Sequence, residues 1–305
     1  MPTIMLVDNG SSRADATLAL RRLSDRLAQR LGQPVHPVSL AHSSKVPAKA
    51  LGGRPAATLE PFLRRQAAAG VRDFLAVPLF FGPSRALTRL IPQTVERVGD
   101  AGTTVRVAVA EELCPLPRGE PRLAEILDRS IRTAMRDLDG GTASSQTRIQ
   151  ALLVDHGSPM PEVSAVRHWL AGRLEILARG DYQLGEAAME RRAGAKYAFN
   201  GALLAEALAA IGQQQGQARV VIGMQFIGPG RHAGRDGDIE RICQQARDRF
   251  PGLDIALSPL VGEDEALIDL LVERAEQGLQ GHRGTSLPRA GEVWQSPRRI
   301  WPRDP

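Results

Sequence analysis

The chain has 305 residues, with 39 Lys+Arg against 34 Asp+Glu, two Cys and three Trp. That length suits two domains of roughly 150 residues each. The distant Cys114 and Cys243 exclude a disulfide framework or a zinc cluster, and 4% aromatic residues argue against a base-stacking nucleic-acid surface.

In chain order, IMLV at 4–7 is a short apolar run ending in turn residues, the form of a buried parallel strand. Leu20, Leu23, Leu27 and Leu31 then recur at helical spacing. VHPVSL is the next strand, 55–69 a helix, DFLAVPLFF a strand, 85–99 a helix, TVRVAVA a strand and 120–138 a helix. DGGTASSQT at 139–147 has the composition of a linker. LLV at 152–154 opens a second series, with a helix marked by Val163, Val166, Leu170 and Leu174. Strands follow near 184–189, 219–227 and 253–258, and helices near 200–211, 236–248 and 264–279. After about residue 281 the periodicity stops, and the Pro-rich, basic stretch 281–305 is expected to be disordered or loosely docked. It carries five Arg against one Glu and one Asp, so the remainder of the chain is nearly neutral. No apolar run reaches the roughly 18 residues of a membrane helix. MPTIMLVDNGSS lacks signal-peptide features, so a cytoplasmic location is expected.

The two series are one unit written twice. IMLVDNGS at 4–11 matches ALLVDHGS at 151–158 at an offset of 147, and VPLFFGPSR at 77–85 matches GMQFIGPGR at 223–231 at 146. A period this long signals duplication of a whole domain rather than a solenoid. Each copy is read as four βα units, a parallel sheet with helices on both faces, over 1–140 and 148–280.

Ligands of open parallel sheets bind at the carboxyl ends of the strands. In the second copy those ends carry Asp155-His156-Gly157-Ser158, Met189-Glu190-Arg191-Arg192 and Gly228-Pro229-Gly230-Arg231-His232. Imidazoles and a carboxylate suit divalent first-row metals. His156, His232 and Glu190 are therefore candidate metal ligands. Arg191, Arg192 and Arg231 lie on the same rim with Ser158 and Gly230, and Arg85 matches Arg231 in the first copy. The first copy has Asn9 in place of His156 and Ala86 in place of His232, and its only rim imidazole is His42, near the position of Glu190. Of the others, His168 reads as a solvated helix residue, His36 lies in a strand beside Pro37, and His282 belongs to the tail. The glycines run G-P-G-R-H-A-G, which does not fit a dinucleotide fingerprint, and neither Ser11 nor Ser158 sits in a G-x-S-x-G elbow.

LLVDHGS and FIGPGRHAGRDGDI, with His156 and His232 spaced 76 residues apart, resemble the two motifs of the class II chelatases, the CbiX-like sirohydrochlorin cobaltochelatases and ferrochelatases, in their long tandem form. The resemblance spans nearly the whole chain except the tail. It implies two flavodoxin-like lobes facing across a cleft that holds the tetrapyrrole. It also implies ATP-independent insertion of Co²⁺ or Fe²⁺ into sirohydrochlorin, for cobalamin or siroheme synthesis, with the metal as substrate and no nucleotide. The family's two histidines carry over to His156 and His232, and its metal-handling glutamate to Glu190. Three features depart from the family pattern: Asp155 stands where Gly usually precedes the first His, Arg231 where a small residue is common, and the site lies in the second copy. A tandem chain supplies both lobes itself, so a monomer is expected. In this reading His156, His232 and Glu190 are catalytic, the neutral imidazoles binding the incoming ion or accepting the two pyrrole protons, and Arg191, Arg192, Arg231 and Arg85, with Ser158 and Gly230, bind the substrate and its eight carboxylates. The alternative is a metal or tetrapyrrole carrier without catalysis.

Overall fold

The computed structural model describes residues 1–99, 104–139, 148–284 and 293–295. The first copy contributes β1 (Thr3–Asp8), α1 (Ala14–Leu31), β2 (Val35–Ser39), α2 (Leu59–Ala68), β3 (Asp73–Pro78), α3 (Ile91–Gly99), β4 (Arg106–Val109) and α4 (Pro121–Asp139). The second contributes β5 (Ile149–Asp155), α5 (Pro161–Ala178), β6 (Tyr182–Ala188), α6 (Leu204–Gln215), β7 (Ala218–Met224), α7 (Asp238–Arg249), β8 (Leu253–Leu257) and α8 (Ala266–Gly284). Both sheets are parallel and share one order: β2-β1-β3-β4 and β6-β5-β7-β8. The direction of strand addition reverses beside β1 and beside β5, which opens a crevice at the carboxyl ends of β1/β3 and β5/β7. The apolar runs read from the sequence are buried on both faces. Ile4 to Val7 and Leu153, Val154 and Val220 to Ile222 are almost wholly shielded, as parallel strands between helix layers require.

Some boundaries differ from the sequence reading. The helix expected over 55–69 starts at Leu59, because a parallel bridge from Ser39 to Thr58 keeps the preceding chain extended. The helix expected over 85–99 opens with a π turn, Ala86–Leu90, before α3. Pro92 has no N–H to give Thr88, and its ring would press on that carbonyl; the wider turn relieves both problems. The helix expected from residue 200 is a 3₁₀ turn, Ala195–Asn200, and α6 starts only at Leu204, with Glu206 Oε2 accepting the Leu203 N–H at 2.8 Å. The tail also departs from expectation. Helix α8 runs on to Gly284, and Val293–Gln295 pairs in parallel with β4 as a short fifth strand, β9. An open edge of β4 and a β-favouring Val-Trp pair account for it. The rest of 285–305, and 140–147 of the expected linker, lie outside the described residues.

The packing units are not the repeat units. One comprises Met1–Leu113 and Asp269–Pro305, the other Cys114–Ile268. Helix α4, from the first copy, buries Leu123, Leu127, Ile131 and Leu138 in the second unit, against α5, β7 and β8. Ile131 Cδ1 lies 3.1 Å from where a Cβ would stand on Gly223 of β7, so the missing side chain admits the helix. In the first unit, Gly278 of α8 meets Leu75 and Ala110 at similarly short range, and the buried Arg274 donates to the carbonyls of Glu112 and Leu113. Each sheet is therefore covered by the last helix of the other copy. The repeat-based division at 140/148 describes the sequence, and the compact units cut across it.

Candidate functional site

Strand β5 ends in Asp155, 5% exposed. Its Oδ1 accepts from Arg167 Nη1 at 2.5 Å and from the Gly157 N–H at 3.0 Å. Burial pushes the Asp155 carboxyl above the usual aspartate range, opposed by the Arg167 charge and these hydrogen bonds. Arg167 is fully buried; its Nε reaches Glu186 Oε2 at 3.1 Å and its Nη2 donates to the Asn200 carbonyl at 2.7 Å. Asn200 in turn accepts the Ser158 N–H at 2.9 Å and donates from Nδ2 to the Ser158 carbonyl at 2.9 Å. This network fixes the turn after β5. Gly157 makes the turn possible: its φ is +83°, and a Cβ there would sit 1.8 Å from the Glu190 carbonyl oxygen.

On that turn His156 faces His232, from the long loop after β7. Their Nε2 atoms are 3.2 Å apart, and the rings are edge to face at 76°. His156 Nδ1 lies 2.9 Å from the Gly157 carbonyl, and His232 Nδ1 lies 2.6 Å from Asp238 Oδ2. A carbonyl and a carboxylate can only accept, so each Nδ1 carries a proton, and in its neutral form each ring presents an Nε2 lone pair. Two lone pairs aimed at one point repel until a cation or a proton enters between them. With metal–nitrogen bonds of about 2.0–2.1 Å, a 3.2 Å separation corresponds to an N–metal–N angle of about 100°. Asp238 opens α7. Burial pulls its pKa up, but the His232 hydrogen bond and the charges of Arg241, His232 when protonated, and Arg231 outweigh that and hold it below the usual range. Glu190 completes the group, with Oε1 3.5 Å from His156 Nε2 and a side chain 63% exposed. Among the described residues no set of three or more His, Cys, Asp or Glu side chains is arranged as a metal cage. The imidazole pair is an open site, suited to an ion that arrives and leaves.

The predicted His156, His232 and Glu190 thus come together. The other predicted residues take varied positions. Arg231 is 76% exposed, with Nε 3.7 Å from Asp238 Oδ2. Arg191 braces its own loop, donating to the Gly201 carbonyl and reaching Glu206 Oε1 at 3.3 Å. Arg192 hydrogen-bonds Tyr197 and, with Lys196, lowers the phenol's pKa; the Lys196 ammonium lies 5.2 Å from that ring's centre. Ser158 Oγ accepts the Met160 N–H at 3.0 Å, and the Gly230 carbonyl accepts the Gly234 N–H at 3.0 Å. Arg85 belongs to the first unit, where it is exposed at the start of the π turn. His168 is not simply solvated: its Nδ1 is 2.6 Å from Glu186 Oε2. Sequence reasoning missed Asp238, Arg167 and Asn200. Only Asp238 left a signal, an acid opening the helix after the second motif.

The first unit keeps the turn without the chemistry. Gly10 has φ +82°, and its Cβ would stand 1.8 Å from the Ala41 carbonyl, as at Gly157 and Glu190. Ala41 is therefore the counterpart of Glu190, so this copy lacks the carboxylate as well as both imidazoles. His42 opens a 3₁₀ turn at φ +61°.

A comparison with curated proteins finds no match. Among solved structures, SirB from Bacillus subtilis with Fe³⁺ is similar at a TM-score of 0.60 and 15% identity, covering 93% of this chain and 98% of its own. The sirohydrochlorin chelatase SirB from Bacillus subtilis subspecies spizizenii in complex with cobalt gives the same values. CbiX, described as the terminal enzyme for biosynthesis of siroheme in denitrifying bacteria, has a TM-score of 0.53 and 13% identity, covering 90% of this chain and 98% of its own. At these identities the likeness is one of fold. The family model described as CbiX matches residues 3–134 and 150–278, both copies and most of the chain. The duplicated chain belongs to the CbiX family.

Proposed function

We propose that the chain inserts a divalent metal ion, Co²⁺ or Fe²⁺, into sirohydrochlorin, without a nucleotide. The observation that carries this reading is the convergence of the His156 and His232 Nε2 lone pairs at 3.2 Å, each ring held in the metal-binding tautomer through its Nδ1. Family membership and the fold shared with proteins described as sirohydrochlorin chelatases support the same substrate. In the reaction, two pyrrole N–H bonds break as two metal–nitrogen bonds form in their place, and both protons must be taken up. The imidazole pair receives the ion while it sheds water, then accepts a proton once the ion has moved into the ring. Glu190, exposed beside His156, delivers the ion or takes the second proton. Arg231 and Arg192, on the same rim, face the substrate carboxylates.

Two imidazoles and one carboxylate accept either metal, and both cobalamin and siroheme synthesis need this product type. The test is anaerobic incubation of the full chain with sirohydrochlorin and Co²⁺ or Fe²⁺, followed by absorbance. His156→Ala and His232→Ala should each reduce insertion to the uncatalysed rate with circular dichroism unchanged. Wild-type rates in both variants overturn the site. Tight binding without acceleration by the parent chain identifies a carrier instead.

A further inference from the structure

The first unit holds a cavity of about 330 Å³ bounded by α1, β2, α2 and the 54–57 loop. The duplication supplies a control for it. In the second unit the Arg167 guanidinium is buried between α5, β5 and β6, bonded to Asp155, Glu186 and Asn200. Arg167 stands twelve residues after Asp155; twelve residues after Asp8 stands Leu20. Glu186 pairs with Leu153 across the sheet; at the matching register Pro37 pairs with Leu6. Asn200 lies three residues before the bridge at Leu203; three before the bridge at Thr58 lies Pro55. Arg167 and two of its three partners are replaced by apolar residues, the third, Asp155, being kept as Asp8, and Leu20, Pro37 and Pro55 line the cavity.

The space is electrically positive. Arg21, His36, Arg54 and Arg65 line it, and no Asp or Glu does. Arg21 is buried and holds the loop in place, donating to the carbonyls of Leu51 at 2.9 Å, Arg54 at 2.5 Å and Pro55 at 3.2 Å. Phe62 forms the flat wall: the His36 ring centre is 5.2 Å from its own, and the Arg65 guanidinium carbon 5.7 Å. The arginine charges act on their neighbours. Burial and then the Arg54 charge lower the Arg21 pKa, against a weaker pull from Asp25; burial and then the Arg65 charge lower that of His36. A cluster of like charges around a semi-enclosed, partly apolar space favours an anion with an apolar body.

We propose that this cavity is a second binding site, for a small organic anion whose carboxylate or phosphate faces Arg54 and Arg65 and whose flat body lies on Phe62. The site is separate from the imidazole pair and does not depend on the chelation reading. Titration calorimetry of the full chain with phenyl phosphate and with benzoate tests it, with neutral benzamide as control. Saturable binding of at least one anion is expected, weakened at least about tenfold in the exposed pair Arg54→Gln/Arg65→Gln. The same affinity is expected in His156→Ala/His232→Ala. The proposal is overturned if neither anion binds up to about 10 mM or if benzamide binds equally. It is also overturned if the arginine pair leaves affinity unchanged or the histidine pair abolishes it.

Discussion

Asp238 decides which nitrogen of His232 faces His156. Its Oδ2 accepts a hydrogen bond from the Nδ1–H at 2.6 Å and leaves the Nε2 lone pair free. Asp238→Asn keeps an acceptor there but removes the charge. Insertion should fall about 10–100-fold with the fold intact, as outer partners of metal-handling histidines ordinarily show; a steady-state absorbance assay measures it. Asp8, the first-copy counterpart of Asp155, shows what loss of the buried arginine does. With Leu20 in place of Arg167, burial pushes its carboxyl up from 3.8 to about 6, only partly opposed by hydrogen bonds from Ser39 and Gly10. Between those values the folded chain holds a proton that the unfolded chain has lost. The group's contribution is thus complete below pH 3.8 and lost as pH rises through about 6. Asp8→Asn removes the penalty. Its stability advantage over the parent should grow from pH 4 to 7 by up to about 3 kcal/mol, measured by urea denaturation at each pH.

At the scale of elements, the turn before α4 is pinned by one close contact. Gly119 has φ +69°, and a Cβ there would sit 2.0 Å from the Trp169 ring of α5. Both the backbone region and the space require glycine. Gly119→Ala should cost about 2–4 kcal/mol, combining a strained φ with overpacking, and should shift the intrinsic fluorescence; denaturant melts check the first and emission spectra the second. Strand ends β5 and β7 carry the imidazole pair. They adjoin the reversal of strand order, so residues 76 apart in sequence meet across one crevice.

At the scale of the molecule, each sheet borrows its last helix. The first copy cut out as residues 1–140 lacks α8, which covers Leu75 and Ala110, and carries α4 with its buried leucines bare. Residues 148–284 lack α4 in the same way. Neither fragment should unfold cooperatively alone, whereas the two co-expressed should restore a cooperative melt. Two independently cooperative fragments would contradict this packing. Among the described residues no helix is long and apolar enough to cross a membrane.

The sequence by itself determined the duplication, the alternation of strand and helix, and the three side chains of the candidate site. Those are local facts: apolar runs bounded by turns, and the motifs DHGS and GPGRH at strand ends. Only the tertiary structure decided which helix covers which sheet, because α4 and α8 carry apolar stripes that would suit either face. It alone also found Asp238, Arg167 and Asn200, whose importance lies in hydrogen bonds to distant groups and leaves little periodic trace. The basic cavity was invisible for the same reason. Leu20, Pro37 and Pro55 are unremarkable residues until their register against Arg167, Glu186 and Asn200 shows what they leave empty.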